Sequence, residues 1–283
     1  AVLERKMGEA LFRRGEHQQA REYLNRALTH LRTPLPTSNW GIRLSIVSQS
    51  VRQLAHRILP RLFLGDTSRC NDPNVEERSR IHGVLGWIDY FMNQERLLLN
   101  ALAELNFTER KGFSLGIVTG SMGMGLIFDL LPLFRLAELY HRRALTIAKR
   151  LQHPVALGHA CFGFGFHQYY LAKWETAIEL LRESAEAYWE AGHLRGWGAA
   201  TAMIARIYYC KGDFKHSLEQ SYETLRVGQD GADPQVWGWG LQGLGQIQCC
   251  TGPLEEAEIN LKKALELFQS IPDYPTIAET NGD

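Results

Sequence analysis

The feature that most restricts the fold of this chain is a repeat of 40 residues. Three segments share one phase: KWETAIELLRESAEA (173–187), GDFKHSLEQSYETLR (212–226) and GPLEEAEINLKKALEL (252–267). Each reads as a turn followed by a helix, with a small residue at one fixed place: Ala177, Ser217 and Ala257. Stepping back by the same interval from Ala177 gives Ala137 and then Leu97, both in amphipathic helical stretches. A unit of this length is one helical hairpin, which cannot bury its apolar face alone and must stack on its neighbours. Hairpins are therefore expected at 1–34, 35–72, 73–112, 113–152, 153–192, 193–232 and 233–272. The hairpin at 35–72 is out of phase. There Ser38 or Asn39 is expected to cap a long helix that Pro60 ends. Residues 1–272 read as a single all-α domain, and the tail DYPTIAETNGD (273–283) is expected to fray.

The stretch VTGSMGMGL (118–126) carries three glycines in six residues, which invites comparison with a phosphate-binding loop. Such a loop follows a strand and opens a helix. Here the glycines recur with the repeat instead. Gly125 is followed by Gly165, Ala205 and Gly245, and Gly123 by Gly163, Met203 and Gly243, with Gly83 one step before. They fall inside the first helix of each hairpin, so close approach of neighbouring helices is expected, not nucleotide binding. Glycine in a helix interior costs about 1 kcal/mol against alanine, and tight packing can offset that.

The pattern resembles the tetratricopeptide (TPR) repeat, W-x2-L-G-x2-Y, then A-x3-F, then P. In MGEALFRRGEHQQAREYLNRAL, Met7 and Gly8 take the Leu-Gly places, and Leu11 takes the Tyr place. Gly15 turns the chain, Ala20, Leu24 and Ala27 form the stripe of the second helix, and Pro34 follows. Leu244, Gly245, Gly252, Ala257, Leu261 and Ala264 fill the same places in the last repeat; Tyr208, Gly212 and Ser217 do so in the sixth. The Trp place never holds Trp. The usual period is 34 residues, so 40 implies longer helices. The resemblance implies a right-handed superhelix, an α-solenoid of about seven TPR-like hairpins. A looser resemblance links LRTPLPTSNWGIRLSIVSQSVRQLAHRILPR, GDFKHSLEQ and DPQVWGWGLQGLGQ to the C-terminal helical region of large bacterial signalling proteins. Those carry an adenylate/guanylate cyclase or kinase domain and an AAA-type (STAND) ATPase. On that resemblance the catalytic parts lie outside this chain, which contains no G-x-x-x-x-G-K-[ST].

Composition narrows the partners. Lys plus Arg and Asp plus Glu are 31 each, so there is no bulk attraction to nucleic acid or an anionic membrane. No apolar run spans a bilayer, and the charged, amphipathic AVLERKMGEALFRRG is unlike a signal peptide. It lacks an initiator Met, which suggests a fragment of something longer. The five cysteines (Cys70, Cys161, Cys210, Cys249, Cys250) form no C-x-x-C and are expected to be reduced, in a cytoplasmic setting, as small residues of a helical core.

No catalytic constellation stands out. His159 and His167 are eight apart, about 12 Å along one helix, too far for a shared metal without a third element. H-E-x-x-H and G-x-S-x-G are absent. No catalytic residue, metal or cofactor is expected. The resemblance supplies a different candidate. In TPR proteins, positions 2, 5, 9, 12 and 13 of each repeat line a concave groove. Counting from Ala177 as position 20, the candidate groove residues are His82, His159, Phe162, Phe166, Tyr169, Arg206, Tyr209, Trp239, Gln242 and Gln246. The set is aromatic and amide-rich with one central arginine. It lacks the Lys and Asn by which some family members hold a C-terminal carboxylate, so that ligand is not expected. Trp237 and Trp239 lie two apart, so at most one belongs to the core and the other is a candidate contact. ERSR (77–80) and ERKG (109–112) read as solvated faces.

The implied function is a non-catalytic interaction or regulatory module that takes a peptide or partner domain. Other domains of a parent chain and a homodimer are further possible partners. The alternatives are a small-molecule sensor for an attached cyclase or ATPase and, last, a stand-alone enzyme.

Overall fold

A computed structural model describes residues 1–66, 72–271 and 273–282; Cys70 lies outside them. Among the described residues the regular structure is all helix. Helices α1 (Val2–Arg13) and α2 (His17–His30) form the first hairpin. They are followed by α3 (Asn39–Ile58) and the one-turn α4 (Pro60–Phe63). Next come α5 (Pro73–Met92) with α6 (Gln94–Lys111), then α7 (Ser114–Leu130) with α8 (Phe134–Leu151). Helix α9 (Pro154–Tyr170) pairs with α10 (Trp174–Glu190), and α11 (Leu194–Cys210) with α12 (Phe214–Asp230). Finally α13 (Pro234–Thr251) pairs with α14 (Leu254–Ser270), and α15 (Tyr274–Thr280) ends the described chain. The hairpins fall where the 40-residue phase puts them, with helices of 17–18 residues in the regular repeats of the second half.

The repeat is visible in the turns. Gln152, Gly192 and Ala232, each after a second helix, have φ of +50°, +65° and +49°. Ala172, Gly212 and Gly252, each after a first helix, have φ of +54°, +74° and +116°. A left-handed residue releases the helix C-terminus and reverses the chain, and glycine adopts it without strain. Helix starts repeat too. His193, Asp233 and Asp273 stand 40 apart, and each caps the following helix by accepting backbone N–H groups. Ser38 accepts from Gly41 N at the start of α3, and Leu59 ends that helix immediately before Pro60, as expected.

The chain divides into two compact units, Ala1–Phe12 with His17–Ala156, and Arg13–Glu16 with Leu157–Asp283. In the first, α2 packs on α5, then α5 on α6, α6 on α7 and α7 on α8. Helix α3 lies to one side, against α6, which accounts for its break in phase. Two clusters form the core. One is Phe12, Leu24, Leu28, Ile81, Leu85 and Ile88, and the other includes Leu102, Leu105, Ile117 and Met124. In the second unit α10 through α14 pack in succession, α11 also touches α13, and α15 lies on α14. Leu241, Ala264, Phe268 and Ile271 make a core there.

The glycines behave as the repeat suggests, with one exception. A Cβ on Gly125 would lie 2.4 Å from the His141 ring, one on Gly165 2.8 Å from Leu181, and one on Gly245 2.5 Å from Leu261. Each packs its helix against the second helix of its own hairpin. Gly83 departs from this, because a Cβ there would meet nothing within 4 Å.

Three further expectations are corrected. The tail does not fray: α15 starts one full period after α13, Asp273 caps it and is fully buried, and Ile277 packs against the Phe268 cluster. It is the opening of one more repeat. Of ERSR, Glu77, Arg78 and Ser79 are buried, and Glu109 of ERKG is almost fully so. Glu77 accepts from Arg5 Nε at 2.8 Å, while Glu109 holds His56 at 2.7 Å and Arg143. Their mixed charge is neutralised inside a helix stack, not by water. Finally, only Cys161 of the described cysteines is buried; Cys210, Cys249 and Cys250 sit exposed at first-helix ends.

Candidate interaction surface

In the second unit the first helices α9, α11 and α13 carry nine of the ten candidate groove residues. Along α9, Phe162 stacks on Phe166 with centroids 6.1 Å apart. Phe166 then meets Tyr169 at 6.3 Å and the edge of Tyr170 at 5.0 Å. The Tyr169 hydroxyl accepts from Arg206 Nε of α11 at 3.2 Å. On the same helix Tyr209 lies 5.9 Å from Phe214, and its hydroxyl is 3.4 Å from Cys250 Sγ of α13. Phe166, Tyr169, Arg206, Tyr209 and Trp239 are half-buried, so each keeps a face toward solvent. Phe162, Gln242 and Gln246 are buried beneath them. Both Trp237 and Trp239 are half-buried and pack against the Phe268 cluster, so neither is purely core or purely surface.

The two candidate histidines are set deeper than expected. His82, in the first unit, is 1% exposed and joined to Asn100 Oδ1 at 2.6 Å, with its carbonyl accepting from the Asn100 amide at 2.9 Å. Burial, the nearby Arg78 charge adding to it, pushes its pKa down to about 3. His82 is a neutral link between α5 and α6, out of reach of a partner. His159 is buried edge-on against Tyr188, 5.5 Å away, and His193, 6.0 Å away. It supports the aromatic ladder from below.

Residue 279 was missed by the groove count. Glu279 of α15 is ion-paired to Arg206 Nη2, and both side chains remain about one-third exposed (32% and 34%). The signal was in the sequence, since Glu279 follows Trp239 by 40 and so takes the same position in the repeat. The central arginine is thus held from two sides, by the Tyr169 hydroxyl and by a carboxylate. Below, Arg195 binds Asp233 through two hydrogen bonds of 3.0 Å, and Gln235 Nε2 donates to Asp273 at 2.5 Å. Burial raises the Asp273 pKa above its ordinary value. These buried contacts tie α11, α13 and the start of α15 together, each spanning 38 residues of sequence.

The first unit holds a second concentration of buried charge. Glu104 is pushed up to about 7 by burial, with Ser79 and Arg78 opposing. Arg78 is itself lowered by burial and lies 3.7 Å over the Phe107 ring. Asp89 is raised to about 6 by burial despite its 2.6 Å bond to Arg21. These groups link α2, α5 and α6; Arg78, Asp89 and Glu104 are buried, and Arg21 is half-buried.

No described helix is long and apolar enough to cross a membrane. No protein-family model and no curated protein matches the chain. Solved structures do. A STAND protein with a tetratricopeptide repeat sensor from Pyrococcus horikoshii aligns over 94% of this chain and 42% of its own, with a TM-score of 0.56 and 13% identity. Aspartyl phosphate phosphatase F from Bacillus subtilis aligns over 98% of this chain and 76% of its own, with a TM-score of 0.56 and 12% identity. BtubC from P. vanneervenii aligns over 81% and 92%, with a TM-score of 0.53 and 14% identity. The chain thus spans under half of the STAND protein it resembles. At these identities the likeness concerns the fold. Repeat phase, turn geometry and these neighbours together make the chain a TPR-like helical-repeat protein.

Proposed function

We propose that the chain is a non-catalytic protein-interaction and regulatory module. The surface of α9, α11 and α13 would take a peptide or partner domain. The observation that carries this is the half-exposed ladder Phe166–Tyr169–Arg206 with Tyr209 and Trp239 beside it. Aromatic and arginine side chains that are rigidly held yet solvent-facing are the usual anchors of protein interfaces. Glu279 on Arg206 suggests the chemistry of the ligand: a carboxylate of the partner would compete for the same guanidinium. Placement within a larger signalling protein is supported by the STAND neighbour, of which the aligned part is 42%.

The test compares partners captured from a lysate of the source organism by the wild-type chain and by Phe166→Ala/Tyr169→Ala. The double variant should keep its helical circular dichroism and lose the captured protein. Capture that survives the substitutions removes the assigned surface. A small-molecule sensor is the second reading, favoured by the repeats of the STAND neighbour being described as a sensor. A thermal shift with metabolites but not with peptides would support it.

A further inference from the structure

Helix α3 is built inside out. Ile42, Gln53 and His56 face the protein and are buried, two of the three polar. Its outward face carries Trp40, Leu44, Val47, Val51, Leu54 and Ile58, and Leu62 continues the line on α4. Each is between 59% and 76% exposed. The spacings along α3 are 4, 3, 4, 3 and 4, an unbroken heptad seam. Such a seam is the pattern by which one helix packs along another. Exposed apolar residues scattered singly are ordinary, whereas a continuous stripe of this size marks an interface.

We propose that this stripe joins two copies of the chain, α3 against α3, antiparallel about a two-fold axis near Gln49. Three observations select a second copy. The seam exposes roughly 800 Å² per chain, the amount each partner buries in a standard stable interface. The stripe is self-complementary. Trp40 meets Ile58 of the partner subunit, Leu44 meets Leu54 of the partner subunit, and Val47 meets Val51 of the partner subunit. A two-fold axis repeats every pair, as an isologous contact requires. The flanks permit it as well. Helix α3 has no acidic residue, but Arg43 is bound to Glu95 at 3.1 Å and Arg57 lies 3.8 Å from Glu109, both in the same chain. In the antiparallel pairing Arg43 and Arg57 lie on the same flank, so Arg43 comes beside Arg57 of the partner subunit, and the carboxylates of Glu95 and Glu109 already bound to them offset the like charge.

Sedimentation equilibrium on the 283-residue chain tests this. The wild type should have twice the 32.2 kDa monomer mass at micromolar concentration. Val47→Glu and Val51→Lys each alter an exposed side chain, so each should keep the wild-type circular dichroism and melting curve, and each alone should sediment as a monomer. Mixing the two variants should restore the dimer, because the new carboxylate of one faces the new ammonium of the other. A wild type that stays monomeric at roughly 100 µM overturns the proposal, whether or not α3 then captures some other protein. Variants that remain dimeric alone overturn it as well. Variants that do not recombine overturn the antiparallel pairing on which it stands. None of these outcomes depends on the α9–α11–α13 surface.

Discussion

Ala172 and Gly212 occupy the same place in successive repeats, and exchanging their identities should move stability in opposite directions. Both follow a first helix, both are exposed, and both have left-handed φ, +54° and +74°. Their hydrogen bonds match. Ala172 N donates to Tyr169 O and Gly212 N to Tyr209 O, each at 2.9 Å, and the next residue closes back to Gln168 O and Tyr208 O, each at 2.9 Å. A Cβ on Gly212 would meet nothing within 4 Å, so only the backbone is at issue. An L-residue in this region costs about 1–2 kcal/mol. The extra freedom that glycine gives the unfolded chain takes back about 0.4–1 kcal/mol. Ala172→Gly should therefore stabilise by about 0.5–1 kcal/mol, and Gly212→Ala should destabilise by about as much. In thermal melts this is about 1–4 °C each way. Repeat stability is local, so hydrogen exchange should slow in α9 and α10 for the first variant and quicken in α11 and α12 for the second. The double exchange should return close to the wild type. If both single substitutions shift the melt in the same direction, backbone strain is not what separates these turns.

Other perturbations follow from the packing and the buried charges. Gly125→Ala drives a Cβ into the His141 ring, itself fixed 2.9 Å from Asp129 Oδ2, and should cost about 1–3 kcal/mol. Gly83→Ala fills open space within a helix and should instead stabilise by about 0.5–1 kcal/mol; urea midpoints check both. Glu104 has a folded pKa of about 7 against 4.5, so the fold favours its protonated form, and stability should fall as pH rises through that window. Glu104→Gln should remove that loss, so the gap between variant and wild type opens from pH 5 to pH 8. His82 works in the other sense: its folded pKa of about 3, below 6.5, makes stability fall as pH drops through that range. Glu279→Gln frees Arg206 and should strengthen binding of an acidic partner peptide about fivefold in a titration at low salt.

The hairpins were legible because each repeat states its phase several times over, in a small residue, a turn and a glycine. Where those markers thin out, legibility fails for physical reasons. Gly83 keeps the phase without the close contact, since spacing records ancestry while packing records neighbours. The segments at 77–80 and 109–112 look solvated because charge is the usual sign of a surface, yet Arg5, His56 and Arg143 arrive from 34 to 72 residues away to neutralise them. The tail looked frayed because Ile277 is almost its only apolar anchor; what holds it is the local cap at Asp273 and that residue's pairing with Gln235, 38 residues away in sequence. At the candidate surface the register placed nine of the ten residues on α9, α11 and α13, while depth separated His82 and His159 from Tyr169 and Arg206, and depth has no signature in spacing alone.

Because helices in each unit pack mainly on those next in sequence, the chain should yield to tension piecewise. A hairpin peeled from its neighbour takes few contacts with it beyond that one interface. Each release of 40 residues pays out up to about 140 Å of extended chain. A module of this kind, tethered between two bodies, would lengthen in steps of whole hairpins, and the surface proposed for a partner would persist until α9, α11 or α13 was itself pulled free.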